Sequence, residues 1–145
     1  NGLQLIWQTG KPYAAKARER AAGRKNIWAG DFINQMEYAY AAADLVISRS
    51  GAMAIAELCV MRKAVIFVPF PYAAEDHQTV NATQLVSQHA ALIVKDSEAK
   101  EKLVFMSIEL SRDEAKQEEL KNNIARLAIT DADTRIAKAI LESVK

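Results

Sequence analysis

Ser50 and Gly51 stand between two apolar runs. Asp44-Leu45-Val46-Ile47-Ser48 precedes them, and Ala52 to Met61 follows, with Glu57 as its single charge. The first run reads as a buried β-strand and the second as a helix that is apolar nearly all round. Strand, small-residue turn and helix together have a chemical consequence. The first N–H groups of a helix have no internal partner, and the helix dipole adds partial positive charge there, so the turn suits a phosphate. Ser50 can cap the helix and Gly51 permits a tight bend. In an open α/β sheet such a turn lies at the carboxyl edge of the strand, where ligands bind. Glu57 sits too far into the helix to be a cap, and a carboxylate in apolar surroundings is costly unless paired. It can accept hydrogen bonds from both hydroxyls of a diol. Together these features point to a nucleoside diphosphate. They also fit a plainly structural reading, a capped helix with one solvated glutamate.

The elements that must position these residues alternate between strand and helix. Leu3 to Gln8 reads as a buried strand ending at Thr9-Gly10. Pro12 can open a helix over Tyr13 to Ala22, and Gly23 ends it. Asn26 to Phe32 is a short strand and loop. Ile33 to Met36 begins a helix that continues through Ala43, and the focal strand and helix come next. Arg62-Lys63 places positive charge at the negative end of that helix. Ala64 to Pro69 is a second continuous apolar strand, and Phe70 to Asp76 a loop. A helix from His77 to about His89 carries Val80, Ala82, Leu85 and Val86 on its apolar side, and Ala90 to Val94 is a further strand. Three helices close the chain, Ala99–Leu110, Asp113–Ala128 and Asp133–Val144, with Ser111 and Asp131 at cap positions. Strands buried on both faces and alternating with helices predict an α/β fold with a doubly wound parallel sheet.

Three ordered motifs carry a resemblance: Ser48-Arg49-Ser50-Gly51-Ala52-Met53 with Glu57, then Phe67-Val68-Pro69-Phe70-Pro71, then Asp76-His77-Gln78 with Asn81-Ala82. In these motifs and their spacing, from about Asn26 to about Val94, the chain resembles the MurG family of bacterial peptidoglycan glycosyltransferases. The resemblance implies a Rossmann-like domain, the C-terminal half of a two-domain GT-B enzyme. Residues 1–145 are then one UDP-sugar-binding domain, and the acceptor domain lies elsewhere. It implies transfer of N-acetylglucosamine from UDP-N-acetylglucosamine to a lipid-linked muramoyl-pentapeptide, lipid I to lipid II, with inversion at the anomeric carbon.

Residue by residue, the resemblance implies that the Ile33 backbone reads the uracil. Ser50 and Gly51, with the N–H groups of Ala52, Met53 and Ala54, hold the diphosphate. Glu57 holds the ribose and Gln78 the sugar hydroxyls. Asn81 either touches the sugar or fixes the loop. Gln78 lies on a different strand connection from the phosphate turn, so Gln78→Ala is expected to impair sugar use while leaving UDP binding nearly intact. The base is implied in the other domain, so no catalytic residue is expected here and His77 is not one. No cofactor and no metal site are expected, since no Asp-x-Asp pair or cysteine–histidine cluster occurs. The implied location is peripheral, on the cytoplasmic face of the inner membrane, with membrane contact made only by the full-length protein and this part soluble. Two departures stand out. The glycine-rich loop expected before Leu3 is not in this chain, which is expected to be a piece of a longer one. At Met61-Arg62-Lys63-Ala64 the usual glycine and proline are replaced.

Bulk properties narrow the classes. Half of the 145 residues are hydrophobic and the formal charge is +1, which suits a domain with a real core and argues against a nucleic-acid binder. Cys59 is the only cysteine, so no internal disulfide can form, and it reads as packing rather than nucleophile. Alternatives are another GT-B enzyme, such as a glycolipid glycosyltransferase or a UDP-N-acetylglucosamine epimerase, and a non-catalytic nucleotide-sugar module.

Overall fold

Ala64-Val65-Ile66-Phe67 contains no polar side chain, and its place in the fold explains why. In the computed structural model, which describes residues 2–144, this is the strand β4 (Ala64–Phe67), between β3 (Leu45–Ser48) and β5 (Leu92–Ile93) in a parallel sheet. Leu45 pairs with Ala64, Ser48 with Phe67, and Phe67 with Ile93. All four β4 residues are fully buried. A strand covered on both faces reads as an unbroken apolar run. Alternation along the strand sends Ala64, Ile66 and Val68 to one side, where they cluster with Val94, Leu110 and Leu120.

These strands belong to the unit Ala43–Lys145. Its helices are α3 (Ala52–Val60), α4 (His77–Ser87), α5 (Asp96–Arg112), α6 (Glu114–Ala125) and α7 (Ala132–Ser143). α5 and α6 supply Leu110 and Leu120 to the core. Buried Gln117 donates its amide to the Leu110 carbonyl at 2.9 Å. Asp113, not Ser111, caps α6: its carboxylate accepts the Lys116 N–H at 2.9 Å, while the Ser111 hydroxyl turns back to the Ile108 carbonyl. Asp131 stands at the start of α7 without a side-chain cap bond and pairs instead with Arg135 one turn on.

The other unit, Asn1–Ala42, is a βαβ arrangement with a further helix. β1 (Leu5–Gln8) pairs in parallel with β2 (Ile27–Gly30), Leu5 opposite Ile27. A 3-10 turn containing Pro12 leads into α1 (Ala14–Ala21), Gly23 takes the left-handed conformation after it, and α2 is Met36–Ala42.

Parallel strands alternating with helices match the expected α/β class, and several expected details change. The strand at Leu3–Gln8 is shorter and not buried: Leu5, Ile6 and Trp7 are all exposed. Among the described residues β1 pairs with β2 alone, in a two-stranded sheet, and α1 packs on β2. β3 is half-buried with Ile47 exposed, as befits a strand paired on one side. Val80 on α4 is exposed, and the buried positions of that helix are Ala82 and Leu85. α3 buries only Leu58 and Cys59, so an apolar sequence there does not mean an apolar environment on every side. Burial raises the pKa of the Cys59 thiol, consistent with a packing role. After α3, Arg62 takes the left-handed conformation, φ +52°. Its guanidinium donates to Asn122, and Lys63 donates to the Ala43 carbonyl at 2.9 Å. Among the described residues no helix is long and apolar enough to cross a membrane.

Candidate functional site

The turn between β3 and α3 is held from one side. Ser50 is fully buried and all three of its polar groups are engaged. Its N–H donates to Gln78 Oε1 at 3.2 Å, its hydroxyl donates to the Gln78 carbonyl at 2.8 Å, and its carbonyl accepts from Asn81 Nδ2 at 3.2 Å. Ser50 therefore does not cap α3. The cap residue is Gly51, with an extended backbone (φ −68°, ψ 149°) and no side-chain cap bond. Gly51 needs no glycine-only conformation, and a Cβ built there meets nothing within 4 Å. Ile55 is the first N–H to bond back, to the Gly51 carbonyl at 3.0 Å. Among the described residues the N–H groups of Gly51, Ala52, Met53 and Ala54 have no acceptor, and no acidic side chain lies in the first turn of α3. Four unpaired donors at the positive end of a helix form an anion-binding arrangement.

Gln78 joins this turn to the loop after β4. Its Oε1 also accepts the Phe70 N–H at 3.0 Å, so two backbone donors converge on one oxygen. That fixes which amide atom points inward and leaves the NH2 as the half able to meet a ligand. The expected separation of Gln78 from the phosphate turn does not hold. Removing the side chain releases the Ser50 N–H as well as any contact to a sugar. Asn81, three residues on along α4, directs its NH2 at the Ser50 carbonyl.

Glu57 is exposed, so the cost of a carboxylate in apolar surroundings does not apply to it. It lies one turn beyond Met53 on the same side of α3, and Met53 is 75% exposed, which leaves that stripe facing outward. The loop ahead of α4 is strained: Glu75 and Asp76 both have positive φ, 50° and 52°. His77 Nδ1 lies 2.6 Å from the Ala74 carbonyl and must carry the proton in that contact.

In the first unit, Ile33 lies in the loop between β2 and α2, ahead of the helix rather than in it. Its side chain is half-buried and its N–H donates to Gln8 Oε1 at 2.7 Å. Only the Ile33 carbonyl remains for a base edge while Gln8 holds the N–H. This tie from Gln8 was not legible in the sequence, because Gln8 reads as one more position of a strand.

Arg49 is the other residue that sequence reasoning left without a role. Its Nη1 donates to the Val68 and Pro69 carbonyls, each at 3.0 Å, and pairs with Asp96. The guanidinium also lies 5.6 Å from the Phe70 ring centre, and Phe70 meets Tyr72 edge-on. The available signal was a lone cation at the end of an apolar strand. Its carboxylate partner is far along the chain and could not be matched from spacing.

Comparisons with known proteins bear on this geometry. The family model described as Glycosyltransferase family 28 C-terminal domain matches residues 1–140. A "UDP-N-acetylglucosamine--N-acetylmuramyl-(pentapeptide) pyrophosphoryl-undecaprenol N-acetylglucosamine transferase" from Bacteroides thetaiotaomicron is 49% identical over 145 residues, 98% of this chain and 39% of that protein. Proteins of the same name from Porphyromonas gingivalis and Flavobacterium psychrophilum are 44% and 42% identical, covering 100% and 99% of this chain and 39% of each relative. The chain thus spans about two-fifths of the length of the curated relatives it matches. The crystal structure of MurG from Acinetobacter baumannii superposes with a TM-score of 0.84 at 28% identity, covering 97% of this chain and 42% of that one.

Proposed function

The chain belongs to the glycosyltransferase family 28 C-terminal domains, and on that premise we propose that it is the donor-binding part of an inverting N-acetylglucosaminyltransferase of peptidoglycan synthesis. The donor is UDP-N-acetylglucosamine, and the acceptor is the lipid-linked muramoyl-pentapeptide named for its relatives. The observation that carries the reading is the start of α3, where four N–H groups have no acceptor among the described residues and no acidic side chain lies in the first turn. In this reading the diphosphate sits on Gly51–Ala54, and the same donors stabilise the charge that develops on UDP as it leaves. Glu57 accepts hydrogen bonds from the ribose diol, the Gln78 NH2 donates to the sugar, and the Ile33 carbonyl meets the uracil. Ser50 and Asn81 belong to the same site. The acceptor pocket and the base lie in the rest of the longer protein. That protein works peripherally at the cytoplasmic face of the inner membrane.

Product analysis tests this. The full-length protein carrying this chain, given UDP-N-acetylglucosamine and the lipid-linked acceptor, is expected to form the disaccharide lipid with inverted configuration. Residues 1–145 alone are expected to form none. Transfer from a different nucleotide sugar, or epimerisation of the donor without transfer, would overturn the assignment.

A further inference from the structure

We propose that Arg49 is a positioning residue for the donor sugar, acting through the Pro69–Phe70 peptide and the Gln78 amide. The inference rests on the reading of Gln78 as a residue that meets the sugar. The ladder between β3 and β4 ends where the Val68 N–H donates to the Ser48 carbonyl at 2.9 Å, and Pro69 has no N–H to continue it. Beyond that point the Val68 and Pro69 carbonyls accept from Arg49 Nη1, at 3.0 Å each. The trans peptide bond after Pro69 makes its carbonyl and the Phe70 N–H parts of one rigid plane, pointing in opposite directions. Holding the Pro69 oxygen therefore aims the Phe70 N–H, which donates to Gln78 Oε1 at 3.0 Å. The Ser50 N–H is the second donor on that oxygen, so a loosened Arg49 leaves the phosphate turn tied to Gln78. The guanidinium is itself fixed. Asp96, at the start of α5, accepts from the same Nη1 at 2.5 Å, and the guanidinium carbon lies 5.6 Å from the Phe70 ring centre. A charged hydrogen bond of this kind is about twice as strong as a neutral one. The Gln78 amide is thus oriented from the start of α5 before any ligand arrives. A preset group binds without the cost of ordering it at that moment.

The test is calorimetry on the full-length protein with UDP and UDP-N-acetylglucosamine. Gln78→Ala comes first and should lose more affinity for UDP-N-acetylglucosamine than for UDP. A Gln78→Ala protein that keeps the wild-type ratio would remove the sugar reading of Gln78, and the proposal with it. Arg49→Lys keeps the charge and gives up the planar fork. UDP-N-acetylglucosamine is expected to bind it roughly three- to tenfold more weakly, the range for one lost neutral hydrogen bond, with UDP unchanged. Asp96→Asn, on another element, should show the same split at a smaller size. The double variant should lose no more than Arg49→Lys alone, because both changes loosen one tie. Equal loss of UDP and UDP-N-acetylglucosamine in Arg49→Lys would overturn the proposal, by making the guanidinium a diphosphate contact or a general support. Losses that add in the double variant would overturn it too, and so would unchanged affinity for both ligands. If Arg49→Lys does not fold, Asp96→Asn carries the comparison with the same expected split.

Discussion

Two helices of the second unit begin in opposite ways. At α6 the Asp113 carboxylate accepts the Lys116 N–H and Glu114 follows it, so the positive end of the helix is met by the chain's own charge. At α3 the cap is Gly51, the first turn is Ala52-Met53-Ala54, and no side chain answers the helix dipole. A start like that of α6 is complete in itself. A start like that of α3 gives up what a capping side chain adds over glycine, roughly a few tenths of a kcal/mol, and leaves its donors for something else. The turn ahead of α3 is held by a grip on Ser50 from α4, a tertiary device rather than a local one.

Making α3 resemble α6 should produce the largest effect. Gly51→Asp fits the backbone conformation and the open space around the cap. A carboxylate there should stabilise the fold by about 0.5–1 kcal/mol through capping and the dipole. It should also repel the diphosphate. Two unit charges about 4 Å apart at an effective dielectric of about 20 interact by about 4 kcal/mol, so UDP affinity should fall by roughly two to three orders of magnitude. Thermal unfolding and calorimetry on one protein check both halves. A higher Tm with unchanged UDP binding would break the contrast.

Glu57→Ala sharpens it from within α3. Loss of hydrogen bonds to a charged group should cost about 1.5–3 kcal/mol, and equally for uridine and UDP, because both carry the ribose. An effect confined to UDP would move Glu57 from the ribose to the diphosphate. Asp113→Ala is the mirror experiment at α6. It should cost about 0.5–2 kcal/mol of stability in urea unfolding and leave UDP affinity untouched. Weakened UDP binding there would mean that the two helix starts are not independent. The smallest effect concerns the far end of α3, where Arg62 occupies a left-handed conformation. Arg62→Gly should stabilise by about 1 kcal/mol, through relief of the clash between Cβ and carbonyl in that region, partly offset by the entropy of glycine. A destabilised variant would show that the Arg62–Asn122 hydrogen bond outweighs the strain.

What was legible in the sequence follows from range. β4 could be read because burial on both faces leaves an unbroken apolar run. α4 through α7 could be placed to within a few residues because helical periodicity is local. The motif positions around Ser50, Glu57 and Gln78 were found because their spacing resembles a family. Their partners were not, because the partners are distant in the chain. The Ser50 hydroxyl looked like a helix cap, the common local use of a serine before a helix, yet it reaches Gln78 on another element. Glu57 looked costly because its neighbours are apolar, but neighbours in sequence are not neighbours in space on a helix with one buried stripe. Arg49 could not be read as a tie between Val68, Pro69 and Asp96 from any local pattern. The hydrogen bond from Ile33 to Gln8 crosses from loop to strand and leaves no trace in composition.

The central claim is that the unpaired donors at the start of α3 receive the diphosphate. Amide NMR on the full-length protein, titrated separately with UDP and with uridine, tests it most directly. Saturating UDP should move the amide resonances of Gly51, Ala52, Met53 and Ala54, uridine should not, and the Lys116 amide at the capped start of α6 should stay where it is with either ligand. Saturating UDP that leaves the Gly51–Ala54 amides unmoved would contradict the account.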